Sequence, residues 1–163
     1  EYFIKSGKTS FKSRRIDISE FLSARINFIY LVAKSKNISL RPRITPGVSV
    51  FMDETSLMRL IDNTLSNAVK YSRPGGKIII RLEKGISIAA FSVQDFGIGI
   101  KDTSAIWARY SRENAALGGF GLGLNIIDKI CKRYGIAKSV RSKPDEGSTF
   151  CYKIPLFKQK LLD

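Results

Sequence analysis

Apolar positions along the chain change period several times, and each change marks an element. From Asp17 onward, Phe21, Leu22, Ile26, Ile29, Val32 and Ala33 recur at helical spacing. Asp17 or Ser19 can cap that helix, and it is expected to end near Lys36 and Asn37. Ile38, Leu40 and Ile44 then alternate around Pro42, which cannot donate to a central ladder, so residues 38–44 predict an edge strand. Thr45, Pro46 and Gly47 make a turn, and residues 48–52 predict a second strand. A second helix is predicted over residues 53–71, with Asp53 as N-cap and no Pro or Gly before Pro74. Leu57, Leu60, Ile61, Leu65 and Ala68 share one broad face of it, and Asn63, Asn67, Lys70 and Tyr71 share another.

Past the break at Arg73, Pro74, Gly75 and Gly76, residues 78–83 and 86–94 predict a hairpin with a tight turn at Lys84 and Gly85. Asp95 closes the second strand, and Gly97 and Gly99 follow it. Residues 101–118 are polar and weakly periodic, with a short helical turn predicted around Ile106, Trp107 and Tyr110. A connection of that length points to a functional lid. Gly118, Gly119, Gly121 and Gly123 open a helix through Ile126, Ile127, Ile130, Cys131 and Tyr134, which stops at Gly135. Residues 136–141 and 149–155 are the last predicted strands. Strands in pairs between helices argue for one mixed, largely antiparallel sheet with helices on one face, rather than a doubly wound parallel sheet. Residues 1–15, basic and Ser-rich, read as a linker, residues 16–157 as the domain, and residues 158–163 as a basic tail.

Composition narrows the chemistry. The 163 residues are enough for one core and carry a net charge of +14. The basic residues are scattered rather than gathered in a stripe, and no nucleic-acid motif accompanies them. A solvated surface biased toward acidic partners is therefore the reading, with no nucleic acid. The chain holds no histidine, which excludes a Ser-His-Asp triad, a His-ligated metal and His acid–base chemistry within it. Cys131 and Cys151 have no metal-ligand spacing. Cys131 reads as a buried reduced thiol, and a cytosolic compartment fits. No apolar run approaches the roughly 20 residues of a membrane helix. The chain opens on Glu1, Tyr2 and Phe3 without an initiator Met, so a fragment of a longer protein is expected.

Three stretches carry chemistry. On the second helix, two amides, an ammonium and a phenol lie side by side. That face is either solvated or a polar site, since an amide oxygen suits a hard cation and a lysine can meet phosphate. Asp95 either caps a turn or accepts a hydrogen bond from an exocyclic amine. The glycines before the third helix form either a hinge or a phosphate loop at a helix N-terminus.

The order of these stretches is more specific than any one of them. Asn63, Asn67, Ala68, Lys70 and Tyr71, then Asp95, Gly97 and Gly99, then Gly119, Gly121 and Gly123, then Gly147 and Thr149, resemble the N, G1, G2 and G3 boxes of sensor histidine kinase catalytic domains. These belong to the GHKL superfamily with the Bergerat fold, which also includes gyrase and MutL. Ile106, Trp107, Tyr110 and Arg112 resemble the kinases' F box. The resemblance covers about residues 17–157.

The resemblance implies an α/β (α+β) two-layer sandwich: a mixed, largely antiparallel five-stranded sheet with about three helices on one face. It implies ATP and Mg²⁺ as ligands. Asn67 would ligate the metal, with Asn63 assisting or contacting phosphate. Lys70 would meet phosphate, and Tyr71 would pack near the adenine or ribose. Asp95 would accept from the adenine amine beside Gly97 and Gly99. Arg112, with Arg109, would steady the γ-phosphate, and Gly119, Gly121 and Gly123 would present backbone N–H groups. Thr149 would sit close to Asp95 through water. Ile98, Ile100, Tyr110, Phe120, Leu122 and Leu124 complete the implied ATP-binding set, with Asn67, Lys70 and Arg112 nearest the transferred group.

It also implies partners outside the fragment: a dimerisation domain bearing the acceptor histidine, and the receiver domain of a response regulator. The fragment is expected to be a monomeric cytoplasmic domain, and the parent a homodimer anchored in the bacterial inner membrane. In the superfamily's hydrolases a Glu stands four residues before the metal-binding Asn. Here Asn63 takes that place, and an amide cannot accept a proton at neutral pH, so the site reads as one that holds ATP rather than hydrolysing it. Trp107 in place of Phe, Ser111 in place of Tyr and a short lid depart from the pattern. The alternatives are a GHKL-type ATPase and a degenerate module that binds only partners.

Overall fold

The computed structural model describes residues 12–108 and 120–159. Strand β1 (Ser13–Asp17) leads directly into helix α1 (Ile18–Ser35). Asp17 is its N-cap, accepting from the Glu20 N–H at 3.0 Å. Ser19, the other candidate cap, is buried and instead donates to the Thr45 carbonyl and accepts from the Val48 N–H. Strands β2 (Ser39–Ile44) and β3 (Ser49–Asp53) follow, and then α2 (Glu54–Tyr71). Asp53 caps α2 by accepting from both the N–H and the hydroxyl of Ser56, a capping bond of a kind worth about 1 kcal/mol. The far end of α2 is closed by a residue from another element: Lys36 Nζ donates to the Val69 and Lys70 carbonyls at 2.8 and 2.6 Å. A cation on the last carbonyls also suits the helix dipole.

Strands β4 (Lys77–Lys84) and β5 (Ile88–Asp95), helix α3 (Phe120–Tyr134), and strands β6 (Ala137–Lys143) and β7 (Gly147–Pro155) complete the described elements. Gly135, at φ +64°, ends α3, and the Ile136 N–H bonds back to the Cys131 carbonyl. That is the left-handed glycine termination expected of the sequence.

Five strands form one sheet in the order β2-β4-β5-β7-β6, with β2 parallel to β4 and the other neighbours antiparallel. Pro42 lies on the edge strand opposite Ile80, where its missing N–H costs no ladder bond. Along β5 and β7 the alternate residues Phe91, Val93, Asp95, Ser148, Phe150 and Tyr152 are buried toward the helices. The Phe91 and Tyr152 rings stack at 5.7 Å in the centre of this layer. The architecture is the expected two-layer sandwich.

Three expectations are corrected. Residues 13–15 are not linker: they begin β1, which pairs antiparallel with β3 from Ser13↔Asp53 to Asp17↔Ser49. Consequently β3 does not join β2 in the main sheet but forms a separate two-stranded sheet with β1. The β4–β5 turn is also wider than two residues. Gly85, Ile86 and Ser87 span it, with the Gly85 N–H on the Ile88 carbonyl, and β5 starts at Ile88 rather than Ile86.

Candidate functional site

The caps at both ends of α2 fix how its polar face is presented. Leu57, Leu60, Ile61, Leu65 and Ala68 are buried, which leaves Asn63, Asn67 and Tyr71 half-buried and Lys70 exposed. The Asn63 amide donates to the Arg59 carbonyl at 2.8 Å. Gly123 of α3 faces its oxygen so closely that an added Cβ would stand 3.2 Å from it. The first and third sequence boxes therefore meet. Asn67 Nδ2 is buried with no hydrogen-bond partner among the described residues, a costly state for an amide. The Lys70 ammonium lies 5.4 Å from the Tyr71 ring centre. Tyr71 is half-buried, and burial pushes its phenol up from the ordinary value.

Asp95 ends β5 on the helix-facing side, and only 6% of it is exposed. Its Oδ1 accepts from the Gly97 N–H at 3.0 Å and the Ser148 N–H at 3.2 Å. Oδ2 has no hydrogen bond among the described residues. Burial raises the carboxyl above its ordinary value, and the two N–H donors pull it back only in part.

The loop after Asp95 is stitched between two elements. The Ile98 N–H donates to the Tyr71 carbonyl at 3.2 Å, the Ile98 carbonyl accepts from the Asp145 N–H at 2.7 Å, and the Ile100 N–H donates to Ser142 Oγ at 2.7 Å. Such approach leaves no room for side chains. A Cβ on Gly97 would overlap the Tyr71 carbonyl oxygen, and one on Gly99, at φ +70°, the Lys143 carbonyl oxygen. The second box is thereby held against the end of α2 and the β6–β7 turn.

Thr149 is not the neighbour of Asp95. It pairs with Gln94, on the sheet face away from the helices, because strand residues alternate. Ser148 is the neighbour. Sequence reasoning missed it, although Phe150, Tyr152 and Ile154 alternate with it and mark the buried face. Ser142, which ties Ile100 to the turn and shares a 2.7 Å bond with Ser148, carried no comparable signal. Ile98 is partly exposed at the loop, whereas Ile100 and Leu124 sit in the apolar core. Trp107 packs edge-on against Phe150 at 5.7 Å and near Tyr152, anchoring the start of the lid segment. Arg109, Tyr110, Arg112 and Gly119 lie outside the described residues. Phe120, Gly121 and Leu122 are placed in the first turn of α3.

The donor set suits a hard cation of modest demand. Two amide side chains lie one helical turn apart, and their oxygens are the atoms a cation could use; the buried unpartnered atom, Asn67 Nδ2, is an N–H donor suited to a phosphate oxygen instead. No group of three or more His, Cys, Asp or Glu among the described residues could cage a metal. Mg²⁺, which keeps waters and shares oxygens with phosphate, fits such a set.

The model of the family described as "Histidine kinase-, DNA gyrase B-, and HSP90-like ATPase" matches residues 52–158. The sensor-like histidine kinase SenX3 of Mycobacterium tuberculosis is 32% identical over 147 residues, covering 86% of this chain and 36% of that protein. The sensor histidine kinase RppB of Synechocystis sp. is 33% identical over 133 residues, covering 77% of this chain and 29% of that protein. The chain thus spans about a third of the length of these relatives. Among solved structures, the mycobacterial sensor histidine kinase MprB superposes with a TM-score of 0.78 at 25% identity, covering 89% of this chain and 98% of that chain. Full-length ShkA in complex with AMPPNP gives 0.79 at 23% identity, over 93% of this chain and 33% of that one, a likeness of fold.

Proposed function

The chain belongs to the family of histidine kinase-, DNA gyrase B- and HSP90-like ATPases, and from that membership we propose that it is the ATP-binding catalytic domain of a two-component sensor histidine kinase. Asp95 carries this reading: a buried carboxylate with one oxygen held by two backbone N–H groups and the other open is built to accept from an exocyclic amine. Gly97 and Gly99 keep the adjoining wall free of side chains. Tyr71 flanks the base or ribose, and Lys70 meets phosphate.

Asn67, with Asn63 beside it, would hold Mg²⁺ through amide oxygens. An ion held there would supply charge neutralisation on the phosphates. Arg109 and Arg112 steady the γ-phosphate from the lid, and the N-terminal end of α3 faces anionic groups. Asn63 takes no proton from water, so the chain positions ATP without hydrolysing it. With no histidine among its 163 residues, the acceptor comes from a dimerisation domain, and an aspartate on a response regulator receives the group afterward. No helix among the described residues is long and apolar enough to cross a membrane. The domain works on the cytoplasmic side of a parent anchored in the inner membrane.

Titration calorimetry with a non-hydrolysable ATP analogue tests the reading. Binding is expected to fall with Asp95→Ala and to lose its Mg²⁺ dependence with Asn67→Ala. An absence of heat on the folded native chain refutes nucleotide binding and favours a partner-binding module.

A further inference from the structure

Strand β5 starts at Ile88 and ends at Asp95, so its two ends are about 23 Å apart. The end remote from Asp95 carries a surface that the nucleotide reading does not use. Three elements converge there around a pocket of about 370 Å³. Arg15 comes from β1, Lys84 from the end of β4, Ile86 from the β4–β5 turn, and Phe157 and Lys158 from the segment after β7.

Backbone bonds lock these pieces together. The Leu156 N–H donates to the Ser87 carbonyl at 3.0 Å, and the Phe157 N–H donates to the Ser49 carbonyl at 2.8 Å. The Arg15 guanidinium lies 5.2 Å from the Phe157 ring centre, and the Phe51 ring 6.1 Å from it. Arg15, Lys84 and Lys158 form no ion pair among the described residues. Beside them Ile86 is 104% exposed and Phe51 56% exposed.

Each half of this chemistry limits the occupant. Three unpaired cations around one pocket call for anionic groups, phosphate above all. A free phosphate would leave Ile86 and Phe51 in water. A shaped protein partner is better received by a groove, whereas Ile86 stands out at the tip of a turn. An anionic membrane supplies both halves at once, with phosphate at the headgroup level and an acyl boundary just below it that a protruding apolar tip can enter. We infer that this end of the domain docks on an anionic lipid surface, with headgroup phosphates on Arg15, Lys84 and Lys158 and with Ile86 and Phe51 dipping into the acyl boundary. Docked this way, the Asp95 end faces away from the bilayer.

Co-sedimentation of the full 163-residue chain with vesicles tests this. Phosphatidylglycerol mixed with phosphatidylcholine is compared with phosphatidylcholine alone. The native chain is expected to bind the mixed vesicles only. Arg15→Gln, Lys84→Gln and Lys158→Gln should each weaken partitioning roughly fivefold. Ile86→Ser, on an exposed turn that tolerates it, should weaken partitioning by a margin that added salt does not erase. The control changes three exposed residues elsewhere, Arg41→Gln, Arg43→Gln and Lys153→Gln, and should lose far less. The inference is overturned if the native chain ignores anionic vesicles, or if patch and control variants lose equally, which would make net charge the sole cause. It is also overturned if millimolar inorganic phosphate displaces the chain from the vesicles while Ile86→Ser has no effect, which would leave only an anion pocket.

Discussion

Replacing Asp95 with Asn separates the cost of burying this carboxylate from the use made of it. The amide oxygen can keep both bonds that Oδ1 now makes, to Gly97 at 3.0 Å and Ser148 at 3.2 Å. What changes is the charge and the open atom, where an N–H group replaces Oδ2. The native carboxyl is raised above its ordinary value, because burial outweighs the two N–H donors. A raised folded value means the native chain has its full stability below the unfolded value and loses part of it as pH rises through the folded value. The substituted amide does not titrate. The melting temperature of Asp95→Asn relative to native should therefore rise as pH climbs through the ordinary carboxylate range and above it, and then stay level once the native carboxyl is ionised. Nucleotide binding should move the opposite way. Losing a hydrogen bond to a charged acceptor removes about 1.5–3 kcal/mol, a roughly 10- to 150-fold rise in Kd. Thermal melts across pH and calorimetry with the ATP analogue read the two effects on one variant. A melting-temperature difference that is flat with pH, or an affinity within twofold of native, would refute the reasoning.

Three other substitutions probe the surrounding structure. Gly97→Ala puts a methyl into the Tyr71 carbonyl and near Ser72 Cα; a destabilisation of about 1–3 kcal/mol by urea unfolding is expected, with weaker nucleotide binding, and native-like values for both would contradict the close approach. Tyr152→Phe removes the buried hydroxyl that meets Thr64 Oγ1 at 2.9 Å, while Thr64 keeps its bond to the Leu60 carbonyl; the expected cost is about 1 kcal/mol with unchanged nucleotide affinity, and a drop in affinity would tie this core bond to the site. Thr149→Val alters the sheet face away from Asp95, so affinity should stay within about twofold; a loss of about tenfold would restore Thr149 to the site.

Local chemistry made much of this legible. Asp17, Asp53 and Gly135 mark helix ends because the atoms they satisfy lie within a turn of them. Pro42 marks an edge because its missing donor is a property of one residue. The β1–β3 pairing was not legible: Ser13, Arg14 and Arg15 are polar and exposed, only Ile16 of the strand is buried, and the partners are far apart in sequence. The place of Asp95 was readable as a strand end, but its partner depended on the β5–β7 register. The resemblance put Thr149 there, and the register puts Ser148 there instead. The width of the β4–β5 turn likewise depended on register, and reading it as two residues hid the exposure of Ile86.

The small β1–β3 sheet has a mechanical meaning. Ser13 pairs with Asp53, the residue that caps α2, and Arg14 reaches Glu54, the first residue of that helix, at 2.6 Å. A load arriving through residue 12 therefore meets first the Ser13–Asp53 rung of a five-residue ladder, at the foot of the helix carrying Asn63, Asn67 and Lys70. Lys36 holds the opposite end of that helix, so α2 is tied to its surroundings at both ends, with the amide pair between the two ties.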